Sequence, residues 1–127
     1  MQDIIKKNFS EHTNVINNTL EANNSLIEHY GELLSSCLEK KGTIFWCGNG
    51  GSASDSQHLA AELIGRYDKN RKPIRSISLS SDAAVMTCIS NDFGYDELFA
   101  RQLEGLGKKG DILIAITTSG KSQNVLN

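Results

Sequence analysis

Two side chains on one helical stretch raise the question of chemistry first. In Gln57-His58-Leu59-Ala60-Ala61-Glu62 an imidazole and a carboxylate lie four residues apart. At about 1.5 Å rise per residue, that spacing stacks them one turn apart on one helix face. Such a pair suits a metal ion, or a base with its partner; the same spacing also serves a plain surface pair. Just ahead lies Gly48-Asn49-Gly50-Gly51-Ser52, which removes side chains where an anion could approach backbone N–H groups and adds a hydroxyl. A second segment, Thr117-Thr118-Ser119-Gly120-Lys121-Ser122, gathers four hydroxyls and one glycine. Either loop alone reads equally well as turn and cap chemistry. Two of them at equivalent strand ends read together as a phosphate cradle.

These loops need a scaffold, and the apolar pattern supplies one. Ile5, Phe9, Ile16, Leu20, Ile27, Tyr30, Leu34 and Leu38 recur mostly three or four apart, as one helical face requires. The polar stretch Glu21 to Ser25 interrupts the stripe. Ser25 with Glu28 forms a capping-box pattern, which predicts two helices or one bent helix. The pairs Ile4-Ile5, Leu26-Ile27 and Leu33-Leu34 widen the apolar face and point to a subunit interface.

After Gly42, Thr43 to Cys47 is a β-branched and aromatic run that reads as a buried strand. Ile74 to Leu79 and Ile112 to Ile116 read as two more. The stretch after the glycine loop and Tyr95 to Leu106 read as helices, Met86 to Ile89 as helix or strand, and Ser122 as the start of a further helix. Strands alternating with helices imply an α/β fold with a parallel sheet covered on both faces. In such sheets ligands bind outside the carboxyl ends of the strands, where both unusual loops fall.

Composition narrows the function classes. The 127 residues, 39% hydrophobic and 22% charged, suit one soluble domain. Thirteen Lys and Arg against fifteen Asp and Glu, net charge −2, advertise no nucleic-acid partner. Arg66, Lys69, Arg71, Lys72 and Arg75 make a basic run, but Asp68 dilutes it and a solvated loop is the better reading. Cys37, Cys47 and Cys88 show no CxxC spacing, which argues against a disulfide framework and a thiolate zinc site; Cys47 reads as a buried structural thiol. The N-terminus lacks the apolar core of a signal peptide, and no run approaches the ~18 apolar residues of a membrane span, so the expectation is a cytoplasmic protein without a membrane partner.

Nucleotide motifs fit poorly. Gly48 to Ala53 matches G-x-G-x-x-A, yet the next strand ends in Leu79-Ser80-Ser81 where a ribose-binding acid belongs, with Asp82 too far on. Gly120-Lys121-Ser122 resembles the end of a P-loop whose first glycine would have to be residue 115, which is Ala115. His12 and His29 read as packing or surface residues, and Asn91-Asp92-Phe93-Gly94 as a turn.

Taken in order, a strand, then CGNGGSASDSQHLAAEL, then NDFGYDELFARQLEGLGKKGDILIAITTSGKSQNVL resembles the sugar isomerase (SIS) family, in its branch that acts on seven-carbon sugar phosphates. The resemblance covers essentially the whole chain. It implies a nucleotide-free, Rossmann-like sheet of five parallel strands. Residues 1–41 would be a helical assembly region of a homotetramer, and 42–127 the first part of one α/β domain, apparently truncated. The implied reaction converts sedoheptulose 7-phosphate to D-glycero-D-manno-heptose 7-phosphate through an enediol, toward ADP-heptose for lipopolysaccharide or capsule.

By the same resemblance Asn49, Gly50, Gly51 and Ser52 would contact the sugar phosphate, and Asn91 and Asp92 the substrate's polar edge. Thr117, Thr118, Ser119 and Ser122 would hold the phosphate. His58 and Glu62 would ligate one zinc ion per subunit, with Glu62 also the catalytic acid/base and substrate contact; a partner His and the remaining ligands are expected beyond residue 127. The competing expectation is a family member without catalysis, binding phosphosugars or a replication initiator. The initiator-binding relative lacks the Glu four residues after the His, so Glu62 favours the enzyme.

Overall fold

A computed structural model describes all 127 residues. The first element is one continuous helix, α1 (Gln2–Glu39), so the two-helix option drawn from Ser25 and Glu28 is not realised. A capping box works by satisfying N–H groups that lack an intrahelical partner. In mid-helix those groups are already bonded to carbonyls four residues back. With no Gly or Pro between Gln2 and Tyr30, Asn and Ser cost only about 0.5 kcal/mol each there, too little to break the helix.

The chain divides into two compact units inside that helix, Met1–Leu33 and Leu34–Asn127. The first is a stretch of bare helix. It leaves Ile5, Phe9, Ile16, Leu20, Ile27 and Tyr30 each at least half exposed. No helix of the chain is long and apolar enough to cross a membrane.

The second unit is an α/β layer structure. Strand β1 (Ile44–Gly48) leads into α2 (Gly51–Ile64), then β2 (Ser76–Ser78), α3 (Ala83–Asp92), a 3₁₀ turn (Tyr95–Glu97), α4 (Leu98–Leu106), β3 (Ile112–Ile116) and α5 (Gln123–Leu126). Met86 to Ile89 is therefore helix. Asp82, which precedes it, accepts the N–H groups of Ala84 at 2.9 Å and Val85 at 3.0 Å, an N-cap worth about 1 kcal/mol.

The sheet has three parallel strands in the order β2-β1-β3, the three read from the sequence; the five implied by the resemblance belong to the longer family domain. Register runs from Ile44 beside Ser76 and Ile112 to Gly48 beside Ile116. Alternation along β1 builds two cores. Phe45 and Cys47 meet Leu79, Ile89, Leu98 and Phe99 on one face, beneath α3 and α4. Ile44 and Trp46 meet Ala60 on the other, with Leu34, Leu38, Leu63, Ile114 and Ile116 packed around them. All five residues of β1 are thus buried, each large side chain contributing about 1.5 to 3 kcal/mol.

Trp46 enters this core with its polar edge satisfied, its indole N–H donating to Ser76 Oγ at 2.8 Å. Over β3 the cover is one-sided. Leu113 and Ala115 remain exposed, so the expectation of a sheet covered on both faces holds for β1 and not for β3.

Candidate active site

From β1 the chain moves outward to β2, then crosses back to lay β3 on the other side of β1. The loops after β1 and β3 are therefore neighbours that lead away in opposite directions, and the crevice between them is where open α/β sheets place ligands. A cavity of about 80 Å³ lies there, lined by Asn49, Ser52, Ile116, Thr117, Thr118, Ser119 and Ser122. The fold thus brings together Asn49 and Ser52 from the glycine loop with all four hydroxyls of the second loop, across some 70 positions of sequence.

The glycine loop has steric reasons for its composition. A Cβ at Gly48 would stand 2.7 Å from the carbonyl carbon, Cβ and O of Ser52, so only glycine lets the first turn of α2 approach the strand end this closely. Gly50, with φ +58° and ψ −122°, occupies a region that L side chains avoid. Three N–H groups at the start of α2 close the turn, while those of Asn49, Gly50 and Gly51 donate to nothing in the chain. Ser52 N–H bonds Asn49 O at 3.1 Å, and Ala53 and Ser54 N–H bond Gly50 O at 3.1 and 3.3 Å. Gly50 and Gly51 line no part of the cavity; they shape the turn that presents Asn49 and Ser52.

The second loop is closed through side-chain oxygens instead. Thr117 Oγ1 accepts the Gly120 N–H at 3.2 Å and Ser119 Oγ accepts the Lys121 N–H at 3.1 Å. An oxygen that accepts from its own loop keeps its proton for another acceptor. The backbone N–H groups of Thr118, Ser119 and Ser122 donate to nothing in the chain. The cavity wall therefore offers hydroxyl, amide and backbone donors, and no acidic side chain lines it. That chemistry favours an anion with several acceptor oxygens.

His58 and Glu62 stand on α2 as the spacing predicts, with His58 Nε2 3.7 Å from Glu62 Oε1. The imidazole is largely exposed and the carboxylate partly buried. Arg71 anchors this end of the helix. Its guanidinium donates to the carbonyls of Glu62 and Leu63, each at 2.8 Å, which satisfies helix-terminal acceptors and holds the turn that carries Glu62. Neither His58 nor Glu62 is among the cavity's lining residues.

Two ligands about 2.0 to 2.1 Å from a tetrahedral zinc stand about 3.4 Å apart. The observed 3.7 Å separation fits that half of a donor set. No cluster of three or more His, Cys, Asp or Glu side chains completes it.

Asn91 and Asp92 close α3 in an exposed position, the Asn91 amide bonded to Asp92 Oδ1 at 2.7 Å. They make no bond to the cavity residues. Cys47 is 1% exposed and its thiol is pushed up to about 11 by burial; it is core, without the thiolate a nucleophile requires.

Sequence reasoning overlooked Tyr95 and Asn124. Asn49 and Asn124 exchange two amide hydrogen bonds, both 2.9 Å, and the Tyr95 hydroxyl donates to Asn49 Oδ1 at 2.8 Å. No local spacing signals a contact between positions 49, 95 and 124.

A cavity at the switch point of a parallel sheet, walled by hydroxyl donors and with no complete nucleotide motif beside it, defines an α/β domain with a ligand crevice at its strand ends. The SIS domain family matches residues 8–127, and the chain belongs to it. Among its relatives, a phosphoheptose isomerase of Helicobacter pylori strain P12 is 51% identical over 126 residues, which is 99% of this chain and 66% of that one. Phosphoheptose isomerase 1 of Campylobacter jejuni is 48% identical over 99% of this chain and 67% of its own. Among solved structures, the phosphoheptose isomerase of Francisella tularensis superposes with a TM-score of 0.93 at 35% identity, and that of Neisseria gonorrhoeae with 0.90 at 36%. Each comparison covers 98% of this chain and 65% of the other. The chain thus spans about two thirds of the length of the relatives it matches.

Proposed function

We propose that the chain forms the phosphosugar-binding part of an isomerase that converts sedoheptulose 7-phosphate to D-glycero-D-manno-heptose 7-phosphate. The observation that carries this reading is near-half identity, along 99% of the chain, to proteins named for that activity. The geometry agrees with it: the cavity donors suit a phosphate monoester, and a helix one loop away carries an imidazole and a carboxylate.

The isomerisation moves one proton between neighbouring carbons. A base takes a proton from C1, the electron pair forms the C1=C2 enediol, and O2 gains a proton. The carbon acid is then restored at C2 while O1 loses its proton to become the aldehyde oxygen. Glu62 is the carboxylate for the first transfer. Asn49, Ser52, Thr117, Thr118, Ser119 and Ser122 hold the phosphate end, Gly50 and Gly51 shape their approach, and Asn91 with Asp92 face the polar edge of the sugar.

His58 and Glu62 would hold a zinc ion with further donors, and a bound zinc would polarise the sugar oxygens as a Lewis acid. Coordination lowers the basicity of a carboxylate, so ligation and proton transfer compete for Glu62. The exposed apolar face of residues 1–33 supports self-association, read here as a homotetramer, and the protein is read as cytoplasmic. Glu62 weighs against the non-catalytic reading as an initiator-binding protein.

Glu62→Gln in the full-length polypeptide tests the assignment. It keeps size and most hydrogen bonding but removes the base, so turnover should fall about 10²- to 10⁴-fold with substrate still bound. Metal content is measured on the same sample, with His58→Ala as the variant that loses metal while keeping the carboxylate. Near-normal isomerisation by Glu62→Gln at saturating substrate and metal would overturn the mechanism.

A further inference from the structure

The Asn49 carboxamide is the one cavity-lining group gripped from two other elements. A carboxamide has two acceptor lone pairs and two N–H donors. Both lone pairs of Asn49 Oδ1 are used, by the Tyr95 hydroxyl at 2.8 Å and by Asn124 Nδ2 at 2.9 Å. One N–H is used, donating to Asn124 Oδ1 at 2.9 Å. What remains is a single N–H on a residue that lines the cavity.

The two clamping residues arrive by separate routes. Asn124 is only 3% exposed, at the start of α5. Its amide is therefore held by the core. Tyr95 follows Gly94, whose φ of +93° ends the turn after α3; that turn throws the phenol ring toward the end of β1. The Asn91-to-Gly94 segment thus has a role that its composition alone did not reveal, the delivery of Tyr95 to Asn49.

We propose that Tyr95 is a positioning residue, which with Asn124 locks the Asn49 carboxamide so that its free N–H faces the cavity as a donor to the bound sugar phosphate. The proposal rests on the phosphosugar reading above. An unlocked amide can turn its carbonyl toward the cavity, where it would repel phosphate oxygens. A locked one offers only the donor, and its ordering cost is met before the ligand arrives.

Tyr95→Phe removes the hydroxyl and keeps the ring. Sedoheptulose 7-phosphate and inorganic phosphate are titrated calorimetrically into the wild-type protein, Tyr95→Phe, Asn49→Ala and the double variant, with thermal melts on each. Tyr95→Phe should bind sedoheptulose 7-phosphate about threefold to tenfold more weakly, the worth of one hydrogen bond, with little change in melting temperature. In the Asn49→Ala background the same substitution should cost nothing further, because its target is gone.

Equal affinity of Tyr95→Phe and wild type would overturn the positioning role and leave the phosphosugar reading standing. So would an undiminished Tyr95→Phe effect in the Asn49→Ala background, since Tyr95 would then act by another route. Failure of the wild type to bind either probe would overturn both readings together.

Discussion

The two strands that feed the cavity differ in how they end. β1 is buried along its whole length, and its loop closes through backbone bonds from Ser52, Ala53 and Ser54, held against α2 by a glycine with no room for a methyl group. β3 is half-exposed, and its loop turns hydroxyl oxygens inward as acceptors so that protons and backbone N–H groups stay free. The first loop gives the cavity wall two side chains, Asn49 and Ser52, and the second gives it four hydroxyls. Glycine content alone would have given the first loop the larger share, since glycine-rich loops are the usual anion cradles.

The widest separation between the two should come from alanine. At Gly48, a methyl group 2.7 Å from the Ser52 backbone forces α2 away from the strand, with an expected loss of about 3 kcal/mol in chemical denaturation. At Gly120, φ is +63° but nothing stands within 4 Å of a Cβ, so alanine there should cost only about 1 kcal/mol of backbone strain. Equal losses would erase the distinction.

Next in size is the second loop. Ser119→Ala combined with Ser122→Ala removes two donors to an anion and should weaken sugar-phosphate binding on the order of 100-fold, read as KM or as a calorimetric Kd. Stability should move by about 1 kcal/mol at most, because Ser119 is exposed and holds only the Lys121 N–H, and the half-buried Ser122 makes no side-chain cap bond. A large loss of stability with unchanged affinity would make this loop scaffold.

A smaller effect separates the strands themselves. Cys47 and Ala115 are neighbours in one row of the sheet, yet the first is buried and the second exposed. The Cys47 thiol goes from 9.0 to about 11 on burial. Its neutral form is therefore favoured by folding. The stability this contributes is complete below pH 9, where the unfolded thiol is also neutral, and is lost as pH rises through 11. The loss should be on the order of 2 kcal/mol, read from denaturation midpoints of wild type against Cys47→Ala. A thiol placed by Ala115→Cys should instead react quickly with a maleimide in the folded protein, while Cys47 does not.

Much of the scaffold was legible because its signals are local. Ile112 to Ile116 is strand β3 residue for residue, and Thr43 to Cys47 marks β1 within one position, each a β-branched run bounded by turn formers. β2 is shorter than the expected Ile74 to Leu79, with Ser76 to Ser78 in register against β1 and single backbone bonds to it at Arg75 and Leu79. The hydroxyls and glycines could be seen in the sequence; their division of labour could not. Whether a serine oxygen accepts from its own loop or faces a cavity depends on backbone angles that composition does not encode. The amide pair of Asn49 and Asn124 is a contact across 75 positions, invisible to any periodic pattern.

The Arg71 guanidinium, seated on the last carbonyls of α2, also decides how the following loop meets a protease. Trypsin needs a Lys or Arg side chain free to enter its specificity pocket and cleaves poorly before proline. The sequence offers it five sites between Arg66 and Arg75. Lys72 precedes Pro73, Arg71 is held by three carbonyls, and Arg75 is bonded to Thr43 Oγ1. Arg66 and Lys69 are left, both exposed. Under limiting digestion the first nicks in this loop therefore fall at those two positions, and cleavage after Arg71 becomes a timer for the fraying of the helix end that carries Glu62.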